Sequence, residues 1–242
     1  ASTTDRSCSR SDMLPVLTLP MLTLHVLLIR HGETVWNAEG RVQGSADSAL
    51  TDKGVQQAQV TGHRLSSWPI DDIYASPLPR ARRTAELIAA ALPGDQQVID
   101  EQRLAERNFG VFEGQRWSEI EKTFAAELAQ ARADPAYVVP RGESRTQVLD
   151  RSFECLEDIA ASATAQNQSC VVLVTHSGLI SCLLKRILGL RQEQPRTFDG
   201  VCARNRAAAS SKGKHVCSLL LCDVTFVLPV LLYLLLQSRI SA

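Results

Sequence analysis

The sequence lacks an excess of charge of either sign. Lys and Arg together number 26, Asp and Glu together number 26, and the formal net charge is +0. A protein without a net field has no general attraction for nucleic acid or for a strongly charged partner. We therefore expect no nucleic-acid partner, and any anion-binding site must be built locally.

The sequence also lacks paired cysteines. Its 7 cysteines are odd in number, and none of them forms a Cys-x-x-Cys pair. Structural zinc sites and disulfide frameworks need paired, regularly spaced cysteines, so the sequence argues against both. We expect a soluble protein of a reducing compartment, either the cytoplasm or an organelle.

A convincing targeting segment and an internal repeat are missing as well. The N-terminal stretch is rich in Ser and Thr, but Asp5 and Asp12 lie among the basic residues Arg6 and Arg10. This mixture makes a poor transit peptide. The chain begins without Met, so we interpret it as a processed form or a part of a longer chain. We expect residues 1–21 to form a disordered N-terminal extension.

What the sequence does contain is a regular alternation of apolar runs and amphipathic segments. The predicted strands lie at 24–30, 71–76, 97–104 and 169–177. The predicted helices lie at 51–68, 79–92, 116–133, 143–163 and 178–188. The first and last strands are unbroken apolar runs, which favours a parallel sheet covered on both faces. We therefore expect a three-layer α/β/α fold with a mostly parallel central sheet.

A histidine directly follows each of the two apolar strands. His31 ends "VLLIRH" and His176 ends "VLVTH", and a glycine comes soon after each, at Gly32 and Gly178. Sites in such sheets lie beyond the carboxyl ends of the strands, so parallel neighbours would bring both histidines to one edge. Arg30 would add a cation there, and the glycines would allow a ligand to approach the backbone. The alternative is that each histidine only caps its strand.

Five segments, in order, resemble the motifs of the histidine phosphatase superfamily, which includes the phosphoglycerate mutase-like enzymes. They are "LLIRHGET" (27–34), "GRVQGSADSALTDKGVQQA" (40–58), "YASPLPRARRTAELI" (74–88), "RLAERNFGVFEG" (103–114) and "VLVTHSG" (172–178). One such motif is weak evidence, whereas five in the family order are specific. The resemblance covers about residues 24–190. It implies a phosphoglycerate mutase-like fold and a catalytic domain at 22–190.

The resemblance implies phosphoryl transfer through a phosphohistidine, without a metal or other cofactor. His31 would be the nucleophile, which requires a neutral imidazole. Arg30 and Arg80 would hold the phosphoryl oxygens, and His176 would donate to the same oxygens. Glu106 would protonate the leaving oxygen and then activate water. Further positions that would contact phosphate or substrate are Asn37, Gln43, Gly44, Ser177 and Gly178.

Two of these assignments have competitors nearby in the sequence. The motif contexts "SPLPRA" and "LAERNFG" favour Arg80 and Glu106 as the site residues. The competing residues are Arg82 and Arg83 for the first assignment, and Glu101 and Glu113 for the second. Both remain open at the level of sequence.

Within the family that the sequence resembles, the chain looks more similar to the phosphatases. Mutases of this family carry a longer insertion between the acid and the second histidine, whereas Glu106 and His176 are separated by 70 positions (176 − 106). We predict a phosphomonoesterase for a small phosphorylated metabolite, with 107–145 setting the specificity for the leaving group. Arg141 in that range is either a ligand for a carboxylate or second phosphate of the substrate or a solvated loop residue. The alternatives are a phosphoglycerate mutase and a catalytically inactive phosphate-binding protein. The sequence does not choose the phosphomonoester.

The resemblance fades after Leu190, where the family continues with a closing strand. Residues 191–242 form a divergent segment whose stretch 216–236 is apolar except for Ser218, Asp223, Thr225 and Pro229. Three interpretations stay open: a C-terminal membrane anchor, an altered end from splicing or a misread gene, and a substituted closing strand within 215–228. A membrane partner is expected only through 216–236.

Overall fold

The two unbroken apolar runs form neighbouring strands at the centre of a sheet. The computed structural model describes residues 24–190 and the backbone of 225–229. In it, His25–Arg30 (β1) pairs in parallel with Cys170–Thr175 (β4). Every residue of β4 and the interior residues of β1 are buried, as expected for strands with helices on both faces.

The remaining elements alternate along the chain as the apolar pattern predicts. The other strands are β2 (Asp72–Ala75), β3 (Val98–Asp100) and β5 (Thr225–Pro229). The helices are α1 (Val35–Glu39), α2 (Asp52–Leu65), α3 (Pro79–Ala89), α4 (Trp117–Thr123), α5 (Ala125–Ala133), α6 (Arg145–Ala165) and α7 (Ser177–Ile187). The sheet order is β3-β2-β4-β1-β5, with β5 antiparallel and the other pairs parallel.

Alternate residues of β1 divide the core into two layers. Val26 and Leu28 belong to a cluster with residues of α6 and α7, whereas Leu27 and Ile29 belong to a cluster with residues of α2 and α3. The sheet is thus sandwiched between helices on both faces. The predicted three-layer α/β/α architecture with a mostly parallel sheet is confirmed.

The predicted helix 116–133 is wrong in one respect, because it is two helices. Phe124 interrupts it with a non-helical backbone between α4 and α5. The Phe124 ring packs edge-on against Phe112 with ring centroids 5.8 Å apart. Both rings belong to a third hydrophobic cluster beside the sheet, so a tertiary contact overrides the local helical pattern.

The predicted strand 97–104 is too long, here for a local reason. Strand β3 ends at Asp100, and Gln102–Leu104 form a short 3-10 turn. The Glu101 side chain accepts a hydrogen bond from the backbone N–H of Arg103 at 2.9 Å, which caps this turn. Helix α2 begins with a side-chain cap, since Thr51 accepts from the N–H of Gly54 at 3.1 Å.

Two predicted segments fall largely outside the described residues. They are the N-terminal extension at 1–21 and the divergent segment at 191–242, of which only 225–229 is described. Those five residues form β5 along the free side of β1. None of the helices in the described ranges has the length and apolar character needed to cross a membrane.

Candidate active site

Parallel pairing brings both strand-end histidines to one edge of the sheet. The register aligns Arg30 with Thr175, and the backbone N–H of His31 donates to the Thr175 carbonyl at 2.9 Å. The imidazole rings of His31 and His176 lie with centroids 5.1 Å apart. The backbone N–H of Ser76, just after β2, donates to the Val174 carbonyl at 2.9 Å, so it reaches the same edge.

His31 is held as a neutral imidazole with a defined tautomer. Its Nδ1 lies 2.7 Å from the carbonyl oxygen of Gly32, and because a carbonyl only accepts, Nδ1 carries the proton. Burial lowers the pKa of His31 to about 3, with further lowering by Arg30 and Arg80. The lone pair of Nε2 is therefore available at neutral pH.

His176 is buried completely and shares the electrostatics of His31. Burial lowers its pKa well below the usual value, and the nearby His31 and Arg80 lower it further. Its Nε2 lies 2.8 Å from the buried hydroxyl of Ser76. Its Nδ1 is also buried and has no hydrogen-bond partner among the described side chains and backbone.

Arg80 is a buried cation at the start of α3, with 2% of its surface exposed. Its Nη1 donates to the carbonyl of Ala46 at 2.8 Å and to Oδ1 of Asp47 at 2.7 Å, and its Nη2 donates to the carbonyl of Gly44 at 2.7 Å. Nε is buried, and within the described ranges nothing accepts from it. A guanidinium has five N–H groups, so its Nε–Nη2 edge keeps donors for a further acceptor.

The other arginines around this edge behave differently. Arg30 carries a buried Nε for which the described residues provide no acceptor. Arg82 donates to Asp100 at 2.6 Å, and Arg83, which is largely exposed, forms an ion pair with Glu86. Of the three arginines at the start of α3, only Arg80 is buried against the loop that bears Gly44.

Gly32 and Thr84 link the first histidine to Arg80. The N–H of Gly32 donates to the hydroxyl of Thr84 at 3.0 Å, and that hydroxyl donates to the Arg80 carbonyl at 2.7 Å. A Cβ on Gly32 would overlap the carbonyl oxygen of Gly54. This backbone approach explains the glycine after His31. The sequence reading missed Thr84, whose only local signal is its place on the inner face of α3.

Glu106 reaches the same edge from an irregular segment. Its Oε2 accepts from the N–H of Gly178 at 3.2 Å, and its Oε1 accepts from the N–H of Arg107 at 2.9 Å. A Cβ on Gly178 would lie 2.6 Å from Oε1. Gly178 therefore makes room for this carboxylate two residues after His176, at the amino end of α7.

The competing carboxylates have other tasks. Glu101 pairs with Arg103 at 2.9 Å. Glu113 accepts from the N–H groups of Ser45 at 2.8 Å and Ala46 at 3.0 Å, and from that of Phe109 at 2.9 Å. The last three bonds join the loop under Arg80 to the segment that bears Glu106. The sequence reading treated Glu113 only as a competitor and missed this structural role.

The predicted substrate contacts Asn37 and Gln43 form hydrogen bonds around Thr34. Asn37 and Thr34 cap α1 reciprocally, and Gln43 Nε2 donates to the Thr34 hydroxyl at 2.8 Å. Gly44 has a φ of +62°, which favours glycine. Ser177 is the first residue of α7. The side chains of Asn37 and Gln43 thus bond Thr34 in the segment that follows β1.

Arg141 lies apart from this hydrogen-bonded set. It is exposed and has a φ of +63°, in a turn where the carbonyl of Pro140 accepts from the N–H of Val111 at 3.1 Å.

Across residues 24–190 and 225–229, no group of three or more His, Cys, Asp or Glu is arranged to hold a metal ion.

Fold and site together define an α/β protein with paired neutral histidines and a buried arginine at the carboxyl edge of its sheet. The chain belongs to the histidine phosphatase superfamily (branch 1), whose family model matches residues 26–216. The match extends past Leu190, where the sequence motifs fade.

Individual relatives agree with this membership. The "Probable phosphoglycerate mutase GpmB" of Escherichia coli K12 / DH10B is 41% identical over 170 residues, 69% of this chain and 76% of that protein. YhfR of Bacillus stearothermophilus superposes with a TM-score of 0.64 and 31% identity, covering 70% of this chain and 82% of that one. A mycobacterial glucosyl-3-phosphoglycerate phosphatase complexed with VO3 gives a TM-score of 0.62 and 30% identity, covering 70% and 83%.

Proposed function

We propose that this protein is a metal-independent phosphomonoesterase that acts on a small phosphorylated metabolite through a phosphohistidine. The observation that carries the proposal is the state of His31. Its Nδ1 proton is engaged by the Gly32 carbonyl, and burial beside two arginines keeps the ring neutral. A neutral imidazole with a fixed tautomer is a competent nucleophile toward phosphorus.

The buried donors around His31 suit a phosphoryl group. Nε of Arg30, Nε of Arg80 and Nδ1 of His176 are all buried and find no acceptor among the described residues. If the Ser76 hydroxyl donates to Nε2 of His176, Nδ1 carries the proton and becomes a donor. In the proposed mechanism these groups bind the phosphoryl oxygens and stabilise the charge of the transferring group.

Glu106 would serve as the acid and base of the reaction. Its Oε2 contacts the N–H of Gly178 beside His176, which brings the carboxyl group to the rim of the same site. In the first step it would give its proton to the leaving oxygen as the phosphorus–oxygen bond breaks. In the second step it would take a proton from the water that attacks the phosphohistidine.

Hydrolysis is favoured over mutase chemistry by the short connection between Glu106 and His176. Two of the similar solved structures are phosphatases by name: the glucosyl-3-phosphoglycerate phosphatase, and an alpha-ribazole phosphatase from Shigella flexneri with a TM-score of 0.59 and 28% identity. A phosphoglycerate mutase is the second candidate, because the curated relative described above carries that name. We assign the activity to a catalytic domain at 22–190.

The deciding test is hydrolysis of a generic aryl phosphate in EDTA, together with acid-labile labelling of the protein. We expect turnover and a labelled histidine, and His31→Ala should reduce the rate by at least about 10³-fold. His63→Ala is the matched control, since this histidine lies exposed on α2. Equal rates for wild type and His31→Ala would refute the mechanism. Isomerisation of phosphoglycerate that needs a bisphosphate primer and releases no net phosphate would favour the second candidate.

A further inference from the structure

Arg151, on α6, bonds both the segment that leads to Glu106 and the carboxylate of Glu143. Nη1 donates to the carbonyl oxygens of Arg103 at 2.7 Å and Ala105 at 2.8 Å, and Nη2 donates to that of Glu106 at 3.3 Å. Nε and Nη2 donate to the two carboxylate oxygens of Glu143 at 2.7 and 2.9 Å. A guanidinium has five N–H donors, and these five bonds use them all.

The remaining carbonyl of the segment is held from the sheet. The Thr175 hydroxyl donates to the carbonyl of Leu104 at 2.7 Å, in a buried position just before His176. Consecutive carbonyls from 103 to 106 are thus all bonded by side chains outside the segment. The segment has no strand ladder at this point, so these bonds fix the backbone from which the Glu106 side chain projects.

Glu143 fixes the orientation of the Arg151 guanidinium. The pair is bidentate and only about a fifth exposed on each side, with side-chain exposures of 22% and 21%. The Glu143 backbone reaches the same segment, since its N–H donates to the Asn108 carbonyl at 2.8 Å and its carbonyl accepts from Arg107 Nε at 2.7 Å. A planar fork held by a carboxylate loses little freedom when it bonds three carbonyls.

We propose that Arg151 is a positioning residue that sets the place of the Glu106 carboxyl in the reaction. The inference rests on the proposed function, in which Glu106 is the acid. Arg151 bonds the Glu106 segment through backbone carbonyls, and its other partner is the Glu143 carboxylate, so it acts through the position of Glu106. Lysine cannot replace it, because an ammonium has three N–H groups and no planar fork.

This role predicts a dependence on the leaving group. An alkoxide leaving group needs a proton in the transition state, whereas a nitrophenolate leaves without much help. A displaced acid should therefore slow the phosphorylation step for alkyl phosphates and spare it for nitrophenyl phosphate. A general loss of folding would lower both rates alike.

The experiment compares Arg151→Lys with wild type, with Glu106→Gln as the benchmark and with Arg132→Lys as the matched control. Arg132 is exposed on α5 and pairs with Glu121. We expect Arg151→Lys to lower kcat/KM for an alkyl phosphate by about 10²-fold and for nitrophenyl phosphate by less than about 3-fold. Glu106→Gln should show the same split, and Arg132→Lys should match wild type.

Labelled phosphohistidine should also accumulate in Arg151→Lys with nitrophenyl phosphate, because the second step needs the same carboxylate as a base. Equal losses for both substrates, or no loss for either, would overturn the proposal.

Hydrogen exchange provides a readout that needs no turnover. The amides of Arg107 and Gly178 donate to the Glu106 carboxylate, so Arg151→Lys should accelerate their exchange while the amides of β1 keep their protection. Unchanged exchange at both amides would also refute the positioning role. If wild type hydrolyses neither substrate and forms no phosphohistidine, the proposed function fails. The exchange rates of the two amides would still show whether Arg151 fixes the position of the Glu106 carboxylate.

Discussion

The two halves of the candidate site are held in place by different means. The phosphoryl half (Arg30, His31, Arg80 and His176) sits on strand ends and on the first turn of a helix, with the His31 backbone bonded to β4. The acid half (Glu106 with residues 103–114) sits on irregular backbone that side chains hold. The first half is fixed by the sheet itself, and the second half depends on individual hydrogen bonds.

Apart from loss of the nucleophile His31 itself, the largest effect is expected at Arg80 in the phosphoryl half. Arg80→Lys would remove the planar donor edge and the bonds to the 44–47 loop, and a lysine cannot restore both. We expect kcat/KM to fall by about 10²–10³-fold, or about 3–4 kcal/mol, with the same factor for alkyl and nitrophenyl phosphates. Arg83→Lys is the matched control on the exposed side of α3. A loss of kcat/KM confined to alkyl phosphates would contradict this assignment, because it would mean that Arg80 supports protonation of the leaving group.

The next effect tests how rigid the phosphoryl half is. A methyl group at Gly32 would overlap the backbone of Gly54, which cannot swing aside. We expect Gly32→Ala to lower the free energy of unfolding by about 3 kcal/mol, measured by urea denaturation. Gly40→Ala is the control, because it has a φ of +69° but open space around it, and it should cost only about 1 kcal/mol. Equal losses of unfolding free energy in the two variants would show that the backbone around Gly32 shifts to accommodate the methyl group.

The difference between strand ends and irregular backbone also explains which parts of the site could be predicted from the sequence. His31 and His176 follow apolar strands, and strand pairing alone brings such positions together, so the edge of the sheet could be predicted. Arg80 and Glu106 were chosen among neighbours by motif context. The geometry then separates them from those neighbours, because Arg80 is buried and Glu106 reaches Gly178.

The supports of the site carry no comparable signal. Thr84, Ser76 and Arg151 are single polar residues, and their bonds to Gly32, His176 and Glu106 span 52, 100 and 45 positions of sequence. Apart from the place of Thr84 on the inner face of α3, nothing in their local pattern distinguishes them from solvated residues. The break at Phe124 is similar, since it depends on a contact with Phe112. Long-range packing therefore decides the features that periodicity does not predict.

A third test uses the pH dependence of folding. The native pKa of His31 is lowered to about 3 from a usual value of 6.5, so the unfolded chain binds the proton first as the pH falls. Stability is thus fully present above about pH 6.5 and declines toward pH 3, by up to about 1.4 kcal/mol per pH unit for this residue. His176 has a lowered pKa as well and acts in the same direction.

We expect His31→Asn to flatten the slope of unfolding free energy against pH by up to about 1.4 kcal/mol per unit between pH 6 and pH 4.5. The measurement is urea denaturation of wild type and variant at matched pH values. His63→Asn is the matched control substitution, because His63 is exposed on α2. A wild-type slope that survives His31→Asn in full would mean that the ring is not held neutral in the native state.

The smallest effect is expected at the other glycine, where the two halves meet. A methyl group at Gly178 would meet the end of the Glu106 side chain, which can move, and not fixed backbone. Alanine is also better than glycine within a helix by about 1 kcal/mol, so Gly178→Ala should change the free energy of unfolding by less than about 1 kcal/mol. The displaced carboxylate should lower kcat/KM for alkyl phosphates by about tenfold, or about 1.4 kcal/mol, and spare nitrophenyl phosphate. A stability loss as large as that of Gly32→Ala would contradict the contrast, because it would mean that the acid half is as rigid as the sheet edge it faces.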